Sequence, residues 1–160
     1  MRQAREAGFR PIVVVVGAEA ETVSAALAGE PVLIAHNQAW ESGMGSSIAA
    51  GMGRIEASDA EAVAILLADQ PLVTSAHLTA MAKLLQQADV SMVGAEYNGT
   101  LGVPALFKTG MFPLLAALPP EAGARHLLRG SGSEIAVFPL PEAAMDVDTP
   151  DDFEALNAAR

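Results

Sequence analysis

The sequence predicts an α/β layered fold with a mostly parallel sheet, and three observations carry that expectation. Short apolar runs recur along the chain with helix-like stretches between them, the alternation expected of strands under helices. The run at 62–68 holds seven apolar residues without a break and leads into Asp69, as a strand buried on both faces would. At 160 residues, 51% hydrophobic and 18% charged, the chain is long enough for one domain with a sizeable core, so residues 1–160 read as a single domain. Aromatics are only 4%, which leaves Ala, Leu, Val and Ile to fill that core.

In chain order, residues 2–8 read as the end of a helix stopped by Gly8. Residues 11–17 are a β-branched strand. A helix over 19–27 and a short strand over 31–36 follow, then a loop over 37–45 that carries Trp40. Ser46 or Ser47 can cap a helix running toward Ile55. The strand from Ala62 is stopped by Pro71, and Ser75 can cap a helix to Gln87. Residues 90–97 form a strand, Asn98-Gly99-Thr100 is turn chemistry, and 103–107 read as a further short strand. The irregular stretch after Tyr97 suggests an insertion over the sheet. Helices are expected over 111–118 and from Ala124, and strands over 134–140 and 144–147. Pro150 opens a last helix to Ala159.

Composition also excludes. A net charge of −10 argues against nucleic acid, whose binders need a basic face. It leaves room for a phosphorylated substrate, because a metal can offset charge locally. The absence of cysteine removes thiolate chemistry and disulfides. No apolar run approaches the ~20 residues needed to span a bilayer, and the first residues lack a signal peptide's apolar core, so the expected address is the cytoplasm with no membrane partner.

Three constellations have chemical content. Asp69 follows a buried strand, where open α/β sheets bind ligands. It is either a ligand for Mg²⁺, which favours one or two carboxylates plus phosphate oxygens, or a cap for the next helix. Asp146 and Asp148 would share one face of a strand by its period of two, and either they hold Mg²⁺ on a triphosphate with Asp69 or the stretch from Asp148 to Asp152 caps the last helix. Gly43-Met44-Gly45-Ser46-Ser47 opens a helix. Its glycines allow close backbone approach to an anion at the helix start, or the stretch is simple capping. Arg125, after Gly123-Ala124, is a bidentate phosphate clamp or a surface arginine. His36, His77 and His126 have no ligand-like spacing.

Together these stretches resemble the MobA-like NTP transferases, and among them the molybdenum cofactor cytidylyltransferases. The resemblance rests on Asn37-x-x-Trp40-x-x-Gly43-Met44-Gly45-Ser46-Ser47-Ile48-x-x-Gly51, Leu67-Ala68-Asp69-Gln70-Pro71, Gly102-Val103-Pro104-Ala105-Leu106-Phe107, Gly123-Ala124-Arg125-x-Leu127-Leu128 and Asp146-Val147-Asp148-Thr149-Pro150-x-Asp152. Five matches in one order are specific where each alone is modest.

The resemblance implies a Rossmann-like, glycosyltransferase-A-like three-layer fold. It implies an enzyme that moves CMP from CTP, or GMP from GTP, to the phosphate of molybdenum–molybdopterin, with Mg²⁺ as cofactor and pyrophosphate as leaving group. A molybdenum hydroxylase is an implied further partner. Asp69 and Asp148 would hold the metal with Asp146 as a further or alternate ligand. Gly43, Met44, Gly45, Ser46 and Ser47 would lie against the nucleotide, and Gly102, Pro104 and Arg125 would face the acceptor. A non-catalytic cofactor-binding role, or another phosphorylated acceptor, stands as the alternative.

Two departures mark the match. Pro120-Glu121 stands where the family has Gly-Asp. The family's opening strand and its Leu-Ala-Ala-Gly-x-Ser-x-Arg-Met-Gly-x-x-Lys loop have no counterpart, a difference of roughly 30 residues, about one supersecondary unit. The expectation is that the family's first strand is missing between the strands at 11–17 and 62–68. Unless they close up, or another segment fills the gap, each keeps an unpaired edge. A start of the natural chain upstream of Met1 is the reading favoured here.

Overall fold

Among the described residues six strands form, and they fall into two sheets rather than one. The computed structural model describes residues 1–55, 58–130 and 134–147, with 149, 152 and 154. In the first sheet β1 (Val13–Val16) pairs in parallel with β2 (Leu33–His36). The second is four-stranded and ordered β3 (Ala62–Ile65), β5 (Thr100–Lys108), β4 (Met92–Tyr97), β6 (Ile135–Pro139). There β5 runs antiparallel to both neighbours while β6 is parallel to β4, so three of the four strands share a direction.

Helices cover both faces. Side chains alternate across the pleat, so Met92, Ala105 and Phe107 face α3 (Met44–Ile55), α5 (Phe112–Ala116) and α6 (Arg125–Gly130). Val93, Ala95 and Leu106 face α4 (Ser75–Gln87) and α1 (Arg2–Glu6) on the other side. This is the expected three-layer arrangement. The remaining helix, α2 (Ala20–Ala26), connects β1 to β2 and has no buried residue.

Several elements differ from expectation for local reasons. The strand at 62 ends at Ile65, not at Asp69. The ladder pairs Ile65 with Ala105, so Leu66 would next face Pro104, which has no N–H to give. The segment 103–107 is part of a nine-residue strand that lies inside the sheet, not an insertion over it. Asn98 and Gly99 take φ of 50° and 67°, and this tight turn folds β5 back onto β4. Register then slips, with Gly94 opposite Ala105 but Ala95 opposite Gly102, so Val103 and Pro104 form a bulge. Residues 144–147 are not a strand: a 3₁₀ turn over Pro141–Ala144 gives way to irregular backbone. The shared strand face expected for Asp146 and Asp148 is therefore absent at Asp146. Thr74, not Ser75, caps α4, accepting from the His77 N–H at 3.3 Å while His77 Nδ1 accepts from the Thr74 N–H. The helix expected from Pro150 lies outside the described residues.

Between the two sheets β1 and β3 do not close up. Among the described residues β1 pairs only with β2 and β3 only with β5. A cavity of about 690 Å³ lies between them, lined by Val13, Val15 and Gly17 on one side and Val63, Ile65 and Leu67 on the other. The expected unpaired edges are present at both strands.

Candidate active site

Asp69 sits in a bend four residues past the end of β3. Its carboxylate oxygen Oδ1 is buried and has no hydrogen-bond partner among the described residues. An orphaned carboxylate oxygen costs free energy unless something satisfies it. The Asp69 backbone carbonyl accepts from the Val147 N–H at 2.9 Å, which sets the bend beside the segment carrying Asp146. Asp148 lies outside the described residues. The expected metal therefore meets a suitable donor: Mg²⁺ takes hard oxygen ligands and needs one or two protein carboxylates. Among the described residues no cluster of three metal-binding side chains forms.

The glycine loop is built differently from expectation. Helix α3 begins at Met44, ahead of both serines. Gly43 has φ of 121°, and a Cβ there would come within 2.6 Å of the Pro120 carbonyl oxygen. A Cβ on Gly45 would reach 2.7 Å from the Ala122 carbonyl oxygen, and the Gly45 N–H donates to Pro120 O at 2.8 Å. The 119–122 turn thus lies against the start of α3 and takes one of its free N–H groups. These glycines admit backbone. Buried Asn37, at the end of β2, holds the serines: its Nδ2 donates to Ser46 Oγ at 2.8 Å and Ser47 Oγ at 3.0 Å, and its Oδ1 accepts from the Ala39 N–H at 2.9 Å. Trp40 is 44% exposed and packs its Cβ and ring over Gly17 at the end of β1.

Of the residues expected to face an acceptor, Gly102 lies in β5 under the Tyr97 ring, and a Cβ there would sit 2.9 Å from Tyr97 Cζ. Pro104 is fully buried in the bulge. Arg125 is exposed at the start of α6 and shares a surface depression of about 450 Å³ with Gly123, His126 and Arg129. A Cβ on Gly123 would meet Met44 Sδ at 3.2 Å, so this depression adjoins the glycine loop.

Two groups result. Met44, Ser47 and the 119–125 stretch gather at the start of α3, and Asp69 gathers with Val147. Met44, Ser47 and Ala68, the residue before Asp69, border the same cavity. Sequence reasoning missed Gln70, a buried side chain whose Nε2 donates to Val103 O and Ala143 O. It also missed the use of the Pro119-Pro120 turn as a cap for α3. The signal for Gln70 was its place beside Asp69 in the Leu67-Ala68-Asp69-Gln70-Pro71 stretch.

Comparison with known proteins bears on the family and the fold. Residues 1–136 match the MobA-like NTP transferase domain. The chain is 32% identical over 123 residues to the purine catabolism protein PucB of Bacillus subtilis (strain 168), across 74% of this chain and 58% of that protein. It is 31% identical over 131 residues to nicotine blue oxidoreductase of Paenarthrobacter nicotinovorans, across 76% and 62%. It thus spans less than two thirds of the length of these curated relatives. In fold it is similar to the manganese complex of Rv0371c from Mycobacterium tuberculosis H37Rv, with a TM-score of 0.79 at 24% identity, over 99% of this chain and 83% of that one. The nucleotidyltransferase fold and the family match over most of its length agree, and this chain belongs to the MobA-like NTP transferase domain family.

Proposed function

We propose that residues 1–160 act as one nucleotidyltransferase domain that moves CMP from CTP to the phosphate of molybdenum–molybdopterin in the cytoplasm. The observation that carries the reading is the buried, unpartnered Oδ1 of Asp69 beside the 146–147 segment, a carboxylate oxygen suited to a divalent cation. Asp69 would hold Mg²⁺ with Asp148 and Asp146. Bound there, the metal supplies neutralisation of the triphosphate's charge. A fold relative solved with manganese supports a divalent ion at this fold.

The chain's own residues position the rest. Gly43, Met44, Gly45, Ser46 and Ser47 lie against the nucleotide, with Asn37 holding both serine hydroxyls in place. Arg125 directs its guanidinium to the acceptor phosphate, and Gly102 and Pro104 shape the backbone of the acceptor side. An acceptor phosphate oxygen attacks the α-phosphorus in line. The new P–O bond forms as the α–β bridging bond breaks, and pyrophosphate leaves with the electron pair. Positioning and charge stabilisation do the work, with no protein nucleophile.

One observation favours a second reading. The Gly45 N–H at the start of α3 is already given to Pro120 O, so it is not free for a phosphate. A chain that holds the pterin cofactor for a molybdenum hydroxylase, without transfer, fits that arrangement. Incubation with Mg²⁺, molybdenum–molybdopterin and CTP or GTP labelled at the α-phosphate separates the readings. The expected result is label in a pterin dinucleotide from CTP, lost at least about 100-fold in Asp69→Ala. Label from GTP alone reassigns the donor. No label from either nucleotide, with pterin retained, leaves the binding reading.

A further inference from the structure

We infer that Gln70 is a positioning residue that sets Asp69 against the 146–147 segment, an inference that rests on the metal-dependent reading above. Gln70 is 6% exposed. Its Nε2 donates to two backbone carbonyls that are far apart in sequence, Val103 O at 3.1 Å and Ala143 O at 2.8 Å. Val103 lies in the bulge of β5, where neither it nor Pro104 has a register partner in β4. Ala143 lies within the 3₁₀ turn that leads to Asp146 and Val147. One buried amide therefore ties the bend after β3 to the sheet and to the acidic segment after β6.

The adjoining residue completes the arrangement. Asp69 O receives the Val147 N–H at 2.9 Å, so residues 69 and 70 together carry both links to the segment over 143–147. Without the Nε2 donors, Val103 O and Ala143 O would be buried with a partner missing, and the segment would be free to shift. Asp69 Oδ1 remains unpartnered inside this frame. Its placement is thus set by a neighbour that does not itself approach the ligand. Glutamine suits the role because it is uncharged, has two N–H donors on one nitrogen, and reaches both carbonyls from a single rotamer. Groups that orient a metal ligand without touching the ion commonly control affinity in this way.

The test compares four substitutions in the full chain, after circular dichroism at low temperature shows each to be folded. Gln70→Met keeps volume but has no donor, and Gln70→Glu keeps shape while placing oxygen against the two carbonyls. Leu85→Ala removes a buried α4 side chain about 15 Å along the helix from its start and serves as a destabilised control. Asp69→Ala removes the ligand. Mn²⁺ binding, alone and with CTP, is read by electron paramagnetic resonance, and exchange of the Val147 amide by NMR without metal.

Both Gln70 variants are expected to weaken Mn²⁺ binding by about tenfold or more and to speed Val147 exchange, while Leu85→Ala leaves Mn²⁺ affinity unchanged. Wild-type affinity in the Gln70 variants, with binding lost in Asp69→Ala, overturns the positioning role and leaves the metal reading standing. An equal loss in Leu85→Ala also overturns it, since general destabilisation then explains the effect. Unchanged binding in Asp69→Ala, or no binding by the unaltered chain, overturns the metal reading and with it the inference.

Discussion

The two sheets of this molecule are built from strands of similar composition but end in different states. Val13–Val16 is four valines, as apolar as any stretch of the chain, yet three of the four are only partly buried. In the four-stranded sheet, six consecutive residues of β5 are buried, Gly102 to Lys108's neighbour Phe107. The difference is the number of neighbours. β5 has a strand on each side and helices on both faces, whereas β1 has one strand partner and an open edge on the cavity. Apolar sequence makes a strand possible, but burial and ladder completion come from what packs on each side. The candidate site lies where these regions meet, with Asp69 just past β3 at the edge of the four-stranded sheet and Trp40 and the glycine loop following β2 of the two-stranded one.

This contrast can be tested by unequal responses in the two halves. The largest effect is expected from Phe107→Ala, which removes a fully buried ring and should cost about 3–5 kcal/mol in denaturant unfolding. Val14→Ala, on the cavity, should cost about 1 kcal/mol or less. Comparable losses at the two positions would break the comparison. Next in size, the amides of β4 should exchange only near global unfolding, while those on the cavity side of β1 and β3 exchange through smaller openings, measured by native-state hydrogen exchange.

The seam between glycine loop and 119–122 turn should come third. Gly45→Ala places a Cβ against two carbonyl oxygens and should destabilise by about 1–3 kcal/mol. A neutral result would mean that the turn moves freely away from α3. The smallest effect sharpens the comparison by its equality. Gly99, with φ of +67°, and Gly29, with φ of +85°, stand in different halves with open space around them. Alanine at either should cost about 1 kcal/mol from backbone conformation alone.

Much of the site was legible because its signals are local. Asp69 after an apolar run, Asn98-Gly99 at a tight turn and Gly43 before a helix each express a backbone preference within a few residues. The Gln70 contacts were not legible, since they join residues 33 and 73 positions apart. The packing of the 119–122 backbone against Gly43 and Gly45 was not legible either, since it joins segments far apart in the chain.

What the sequence determined by itself is the approximate set of elements, the α/β class, and the acid and glycine positions that mark the family. These follow from periodicity, chain stiffness and turn preference, which act over a few residues. Only the tertiary structure decided which strands pair. It sent β5 antiparallel into the middle of the sheet, ended β3 at the N–H that Pro104 lacks, and left β1 and β3 unjoined. Pairing depends on hydrogen-bond partners brought together across long stretches of chain, and no local pattern encodes that choice.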